Sequence, residues 1–113
     1  MKYIHRLALG DNFHPLGRRL RRGANFVDLT GLTVQIKIKT NLGVVLLDWT
    51  DTGITVITPQ TTSTNTGKVQ YDFTSSGIVA AGRYCYWFRV GDGVEWSTFP
   101  PNNDGELLIV EEI

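Results

Sequence analysis

The sequence predicts an all-β fold, an antiparallel β-sandwich of about seven to nine short strands. Three observations carry this. Apolar residues recur with period two, not 3.6, along most of the chain. Turn-forming groups ending in glycine (Gly31, Gly43, Gly53, Gly67, Gly93, Gly105) punctuate the apolar runs at regular intervals. Helix signal is nearly absent, with room for one turn at residues 75–81 before Gly82.

Taken in order, residues 3–9 and 16–22 are edge-like strand candidates, and residues 1–13 read as an N-terminal arm or edge strand. Residues 32–39 alternate cleanly. Leu32, Val34, Ile36 and Ile38 point one way, and Thr33, Gln35, Lys37 and Lys39 the other, as a half-buried strand requires. Residues 44–49 are a continuous apolar run, expected to be covered on both sides. Residues 54–58 are β-branched and stopped by Pro59, and the Thr/Ser/Asn stretch 60–66 reads as an exposed loop. Residues 67–74 turn Val69, Tyr71 and Phe73 inward. Residues 83–90 put Tyr84, Tyr86, Phe88 and Val90 on one face, with Arg83, Cys85, Trp87 and Arg89 on the other. Residues 94–99 alternate until Pro100-Pro101, and residues 106–111 are expected to close a sheet.

One constellation points to an immunoglobulin-like sandwich. Ala81-Gly82-Arg83-Tyr84 precedes the strongest aromatic strand, where such folds carry a tyrosine corner, although a tyrosine simply packed in the core reads equally well. Cys85 is the one cysteine, so no internal disulfide links the sheets, and Trp49 or Trp87 is left to fill that space.

The 113 residues are one domain's worth of chain, 1–113, with a single core. No apolar run approaches the ~20 residues of a membrane span, and the N-terminus lacks the apolar core of a signal peptide. The expected product is a soluble globular protein made in the cytoplasm. Catalysis is not indicated. His5 and His14 lie at no spacing that brings either beside Cys85, and His14 precedes Pro15 in what reads as a loop. No Cys/His pattern suggests zinc. Asp48, Asp51, Asp92, Glu95 and Asp104 are candidates for a calcium-binding end, but turn chemistry explains them more simply, as it does Asn102-Asn103-Asp104-Gly105. Neither a cofactor nor a metal is expected. Trp87 and Trp96 read either as a stacking platform for host glycan or, more simply, as core or interface residues.

Charge is balanced but unevenly placed. Residues 1–40 carry +6 and residues 41–113 carry −6, which predicts a large dipole. The basic knot is Arg18-Arg19-Leu20-Arg21-Arg22. It reads as a solvated strand edge, as a contact for an acidic neighbour, or as a phosphate site. Zero net charge argues against nucleic acid.

The order of the motifs is the last observation. Residues 27–34 (Val-Asp-Leu-Thr-Gly-Leu-Thr-Val), 67–71 (Gly-Lys-Val-Gln-Tyr), 81–84 (Ala-Gly-Arg-Tyr) and 98–100 (Thr-Phe-Pro) follow one another. In that order they resemble the N-terminal immunoglobulin-like domain of tailed-phage baseplate upper proteins, over residues 14–113. That family continues into a distal receptor-binding region with no counterpart in these residues. The resemblance implies a non-enzymatic structural protein of a bacteriophage virion. It would be an assembly or docking module in the baseplate, tail or neck, or on the capsid surface, contacting other virion proteins and further copies of itself. Its candidate interface is Arg18, Arg19, Arg21 and Arg22 with Trp87, Trp96, Phe99, Pro100 and Pro101. The rival expectation is an adhesin-like, glycan-binding module using Trp and Asp side chains at a loop end.

Overall fold

The computed structural model describes residues 4–9, 15–76 and 78–112. The expectations for Tyr3 and His14 fall outside them. The strands are β1 (Ile4–Ala8), β2 (Leu16–Arg19), β3 (Arg21–Arg22), β4 (Asn25–Phe26), β5 (Thr33–Thr40), β6 (Val45–Thr50), β7 (Ile54–Val56), β8 (Lys68–Tyr71), β9 (Gly82–Gly91), β10 (Trp96–Phe99) and β11 (Glu106–Glu111). Ten correspond to the nine expected runs or their parts. The count rises because residues 16–22 divide into β2 and β3, and because β4 was not foreseen.

A six-stranded sheet runs β1-β11-β9-β5-β6, with β10 also paired to β9. A three-stranded sheet runs β2-β8-β7, and β3-β4 form a separate ribbon. The two larger sheets make the sandwich. Their arrangement, β2-β8-β7 opposite β11-β9-β5-β6, corresponds to the B-E-D and G-F-C-C′ order of an immunoglobulin-like domain. Between them lie Leu16, Val69 and Tyr71 from one sheet and Ile36, Ile38, Tyr86, Phe88 and Leu108 from the other, each under 2% exposed. Each such side chain contributes roughly 1.5–3 kcal/mol through burial. Tyr84 is both packed and a corner: it is 7% exposed, and its hydroxyl donates to the Ala80 carbonyl at 2.7 Å.

Several expectations are corrected. Leu32 is exposed, because the chain is still in a turn there (Leu32 N–H to the Leu29 carbonyl), and buried Leu29 takes the core place. The apolar run 44–49 is not covered on both sides. β6 is a sheet edge with two register shifts against β5, and Val44 and Val45 are exposed. β11 does not close its sheet: β1 lies outside it in parallel and takes up the backbone groups a terminal strand leaves open. The sheet is therefore not wholly antiparallel. β8 ends at Tyr71. Phe73 sits instead in a 3-10 turn, Phe73–Ser75, capped by Asp72, and this replaces the helical turn expected at 75–81. Phe73 remains buried, stacked on His5 and edge-on to Tyr71. Nor is Gln60 part of an exposed loop: it is 5% exposed. Neither Trp49 nor Trp87 lies between the sheets; both pack on the outer face, against Lys37 and Lys39.

One edge of β9 positions the candidate site. β11 pairs with Gly82–Tyr86 and β10 with Phe88–Gly91, on the side away from β5. β10 and β11 thus act as a single strand broken by residues 100–105. Pro100 and Pro101 have no N–H for the ladder, which explains the interruption.

Candidate functional site

The broken strand sends its two flanks to different faces of the large sheet. Phe99, Pro100 and Pro101 turn toward the mouth between the sheets. There they line a cleft of about 220 Å³ with Arg18, Arg19, Leu20, Arg21, Tyr86, Phe88 and Glu106. An adjoining hollow of about 410 Å³ is lined by Arg21, Arg22, Gly23, Ser97, Thr98, Phe99 and Pro101. Seven of the nine expected interface residues therefore meet at one place.

Leu20 explains how the arginines are presented. It is 3% exposed, and its backbone bonds Gly67 on one side and Val27 on the other. This anchor splits the basic run into two pairs. Gly67 must be glycine here: its φ is +84°, and a Cβ would sit 2.4 Å from the Leu20 carbonyl oxygen. The two pairs then do different work. Arg18 reaches across the mouth to Glu106 of the opposite sheet at 3.5 Å, with side chains only 21% and 13% exposed. Arg19 lies 3.5 Å over the Phe26 ring and donates to the Thr66 and Ser63 carbonyls. Both serve the fold. Arg22 donates to the Ser97 hydroxyl. Arg21 is exposed, and its side chain has no hydrogen bond or ion pair among the described residues.

The other two expected residues lie elsewhere. Trp87 is not an exposed anchor. It is 6% exposed, because the bulge 100–105 covers it: its indole N–H donates to the Asn102 carbonyl at 2.9 Å, and Gly105 fits against the ring where a Cβ would clash at 2.8 Å. Trp96 stands on the outer face of the large sheet, half-buried, its ring 4.2 Å from the Arg89 guanidinium.

That outer face was missed as a unit. Arg89 also covers Trp49 at 4.6 Å and donates to Gln35 at 2.7 Å. Lys37 and Lys39 approach Trp49 and Trp87 at 5.8 and 5.6 Å. All the tryptophans thus alternate with cations, each contact worth roughly 0.5–1 kcal/mol at exposed sites. The period-two faces of β5 and β9 contained this signal, but their register, Lys37 opposite Trp87 and Gln35 opposite Arg89, did not follow from sequence.

Among the described residues, no group of three or more His, Cys, Asp or Glu could hold a metal ion, and no helix is long and apolar enough to cross a membrane. Three of the aspartates serve turns. Asp28 accepts from Thr30, Asp72 from Thr74, and Asp92 from Val94 and Glu95; these hydrogen bonds hold all three carboxyls below their ordinary range. Asn102 plays the same part for Asp104 and Gly105. Cys85 is half-buried on the outer face of β9. No protein-family model, curated protein or solved structure matches the chain.

Proposed function

We propose that the protein is a non-enzymatic assembly module of a tailed-bacteriophage virion that docks through the mouth of its sandwich. One observation carries the docking part: Arg21 and Arg22 meet Phe99, Pro100 and Pro101 at a single basic-rimmed, apolar cleft, although some 75 residues separate the two segments. The virion assignment rests on the motif order described above. The partner is a neighbouring chain in the particle, an adjacent virion protein or a further copy, that offers an acidic rim around an apolar side chain.

The physical division of labour is simple. Exposed ion pairs supply only about 0.2–1 kcal/mol each, so Arg21 and Arg22 orient the partner and speed its approach. Affinity comes from apolar area on Phe99 and the two prolines. Arg18 and Arg19 do not take part directly, since they are partly buried and tied by an ion pair, backbone carbonyls and the Phe26 ring, whereas Arg21 and Arg22 are exposed, Arg22 with one hydrogen bond to the Ser97 hydroxyl. Charge reversal at Arg21 and Arg22 is therefore the clean test. The double variant Arg21→Glu/Arg22→Glu is expected to fold normally by circular dichroism and to fall to a small fraction of its normal copy number in purified particles. Incorporation at normal copy number would reduce the pair to a solvated edge.

A further inference from the structure

The outer face of the large sheet carries a second set of groups that the docking reading leaves unused. Lys37, Lys39, Trp49, Trp87, Thr98 and the Asn102-Asn103 pair line an open hollow of about 280 Å³. It adjoins another of about 380 Å³, which shares Lys39, Trp87 and Asn103. The second is of a size at which small ligands are held, and the first lies just below that range, so the two together make the trough. We propose that this trough binds an acidic saccharide.

The chemistry of the lining selects that class. Trp49 is half-buried and lines the trough beside the Lys37 and Arg89 cations, so the part of its ring they leave accessible is apolar surface against which sugar C–H groups pack, while Trp87, 6% exposed, adds little area. The exposed amide of Asn103 and the hydroxyl of Thr98 match sugar hydroxyls. The ammonium groups decide the charge. Lys39 has no carboxylate within ion-pair distance among the described residues, and Lys37 has only Asp48, at 3.9 Å and 77% exposed. Arg89, 4.6 Å over the Trp49 ring, adds a third positive charge next to the trough. A carboxylate, sulfate or phosphate on the sugar is expected at the Lys37–Lys39 end, because Asp104 lines the far hollow.

Single-stranded nucleic acid fits less well. Its affinity is built from many phosphate contacts and open aromatic plates. Here Trp87 is 6% exposed, so the trough offers part of one half-buried ring, Trp49, in place of a row of open plates.

The test uses the whole protein and defined probes: a heparin hexasaccharide, a polygalacturonate hexasaccharide, neutral maltohexaose and a dT oligomer, read by tryptophan fluorescence and calorimetry at low salt. At least one acidic hexasaccharide is expected to bind and maltohexaose to fail. Lys37→Ala and Lys39→Ala lie on the sheet surface and are expected to keep the circular dichroism spectrum. Each should weaken the acidic sugar by about tenfold or more, the scale of a lost charged hydrogen bond. Arg21→Glu/Arg22→Glu should leave saccharide binding unchanged, which separates this site from the docking cleft. Absence of binding to both acidic sugars would overturn the proposal. So would equal losses in the lysine and arginine variants, or tighter binding of the dT oligomer than of either acidic sugar.

Discussion

Tyr71 and Tyr84 are both buried, yet their hydroxyls have opposite surroundings. Tyr84 donates to the Ala80 carbonyl, whereas the Tyr71 hydroxyl is buried with no partner. Burial, with Asp72 adding a smaller push, raises the Tyr71 pKa to about 12. Removal of the two hydroxyls should therefore differ in sign. Tyr84→Phe loses a hydrogen bond and should cost about 1 kcal/mol. Tyr71→Phe removes an unsatisfied group and should be neutral or stabilising, by up to about 1 kcal/mol. Denaturant titration of both variants checks this. The pH dependence follows the same logic. An unfolded tyrosine ionises near 10, so the stability that Tyr71 contributes is full below that value and is lost as the pH rises toward about 12. Asp28, Asp72 and Asp92 act at the other end: their contribution is full above the ordinary value of about 4 and is lost as the pH falls through their lowered native values. In Tyr71→Phe the alkaline decline should weaken and the acid decline should stay. Alternation in the sequence foretold the burial of both rings. Alternation alone did not reveal which hydroxyl would find a partner; the corner reading of residues 81–84 offered Tyr84 beside a plain core alternative, and Ala80, in the turn before β9, is the acceptor.

At the level of elements, period two located nearly every strand, and the departures share one cause: contacts from elsewhere in the fold decide what local pattern leaves open. Leu20 looked like one more strand residue between arginines. Its backbone bonds to Gly67 and Val27 make it the break between β2 and β3. Trp87 alternated outward as expected, but the bulge forced by Pro100 and Pro101 folds back over it. Gln60 sat in a polar loop by composition, yet all its hydrogen-bonding capacity is used inside. Its Oε1 accepts from the Leu29 and Gly67 N–H groups, and its Nε2 donates to the Ile57 and Asn65 carbonyls. It pins the turn before β5 to the loop before β8. Gln60→Leu keeps the volume but strands two buried N–H groups, so it should cost about 2–4 kcal/mol. Thermal and denaturant unfolding measure this. A loss below half a kilocalorie would mean the loop holds its shape without the pin.

Over the whole molecule, the charge split of the sequence is partly closed by folding. Arg6 pairs with Glu111, Arg18 with Glu106 and Lys37 with Asp48, each joining the basic first 40 residues to the acidic remainder. The dipole suggested by the linear sequence is correspondingly reduced, and the arginine run is reduced to two outward members. The gathering of Arg21 and Arg22 with Phe99, Pro100 and Pro101 was anticipated as a set of residues but not as one cleft, since it depends on how the β3–β4 ribbon meets β10. The most direct measurement of the docking claim is site-specific photocrosslinking inside particles, with the reactive group placed at Arg21 or Pro101 and the products read by mass spectrometry. The account predicts crosslinks from both positions to one surface of a second chain, rich in Asp or Glu around an apolar residue, and none from a control at Thr55 on β7. Particles in which the Arg21 and Pro101 probes yield only intramolecular products, or no more intermolecular product than Thr55, would contradict it.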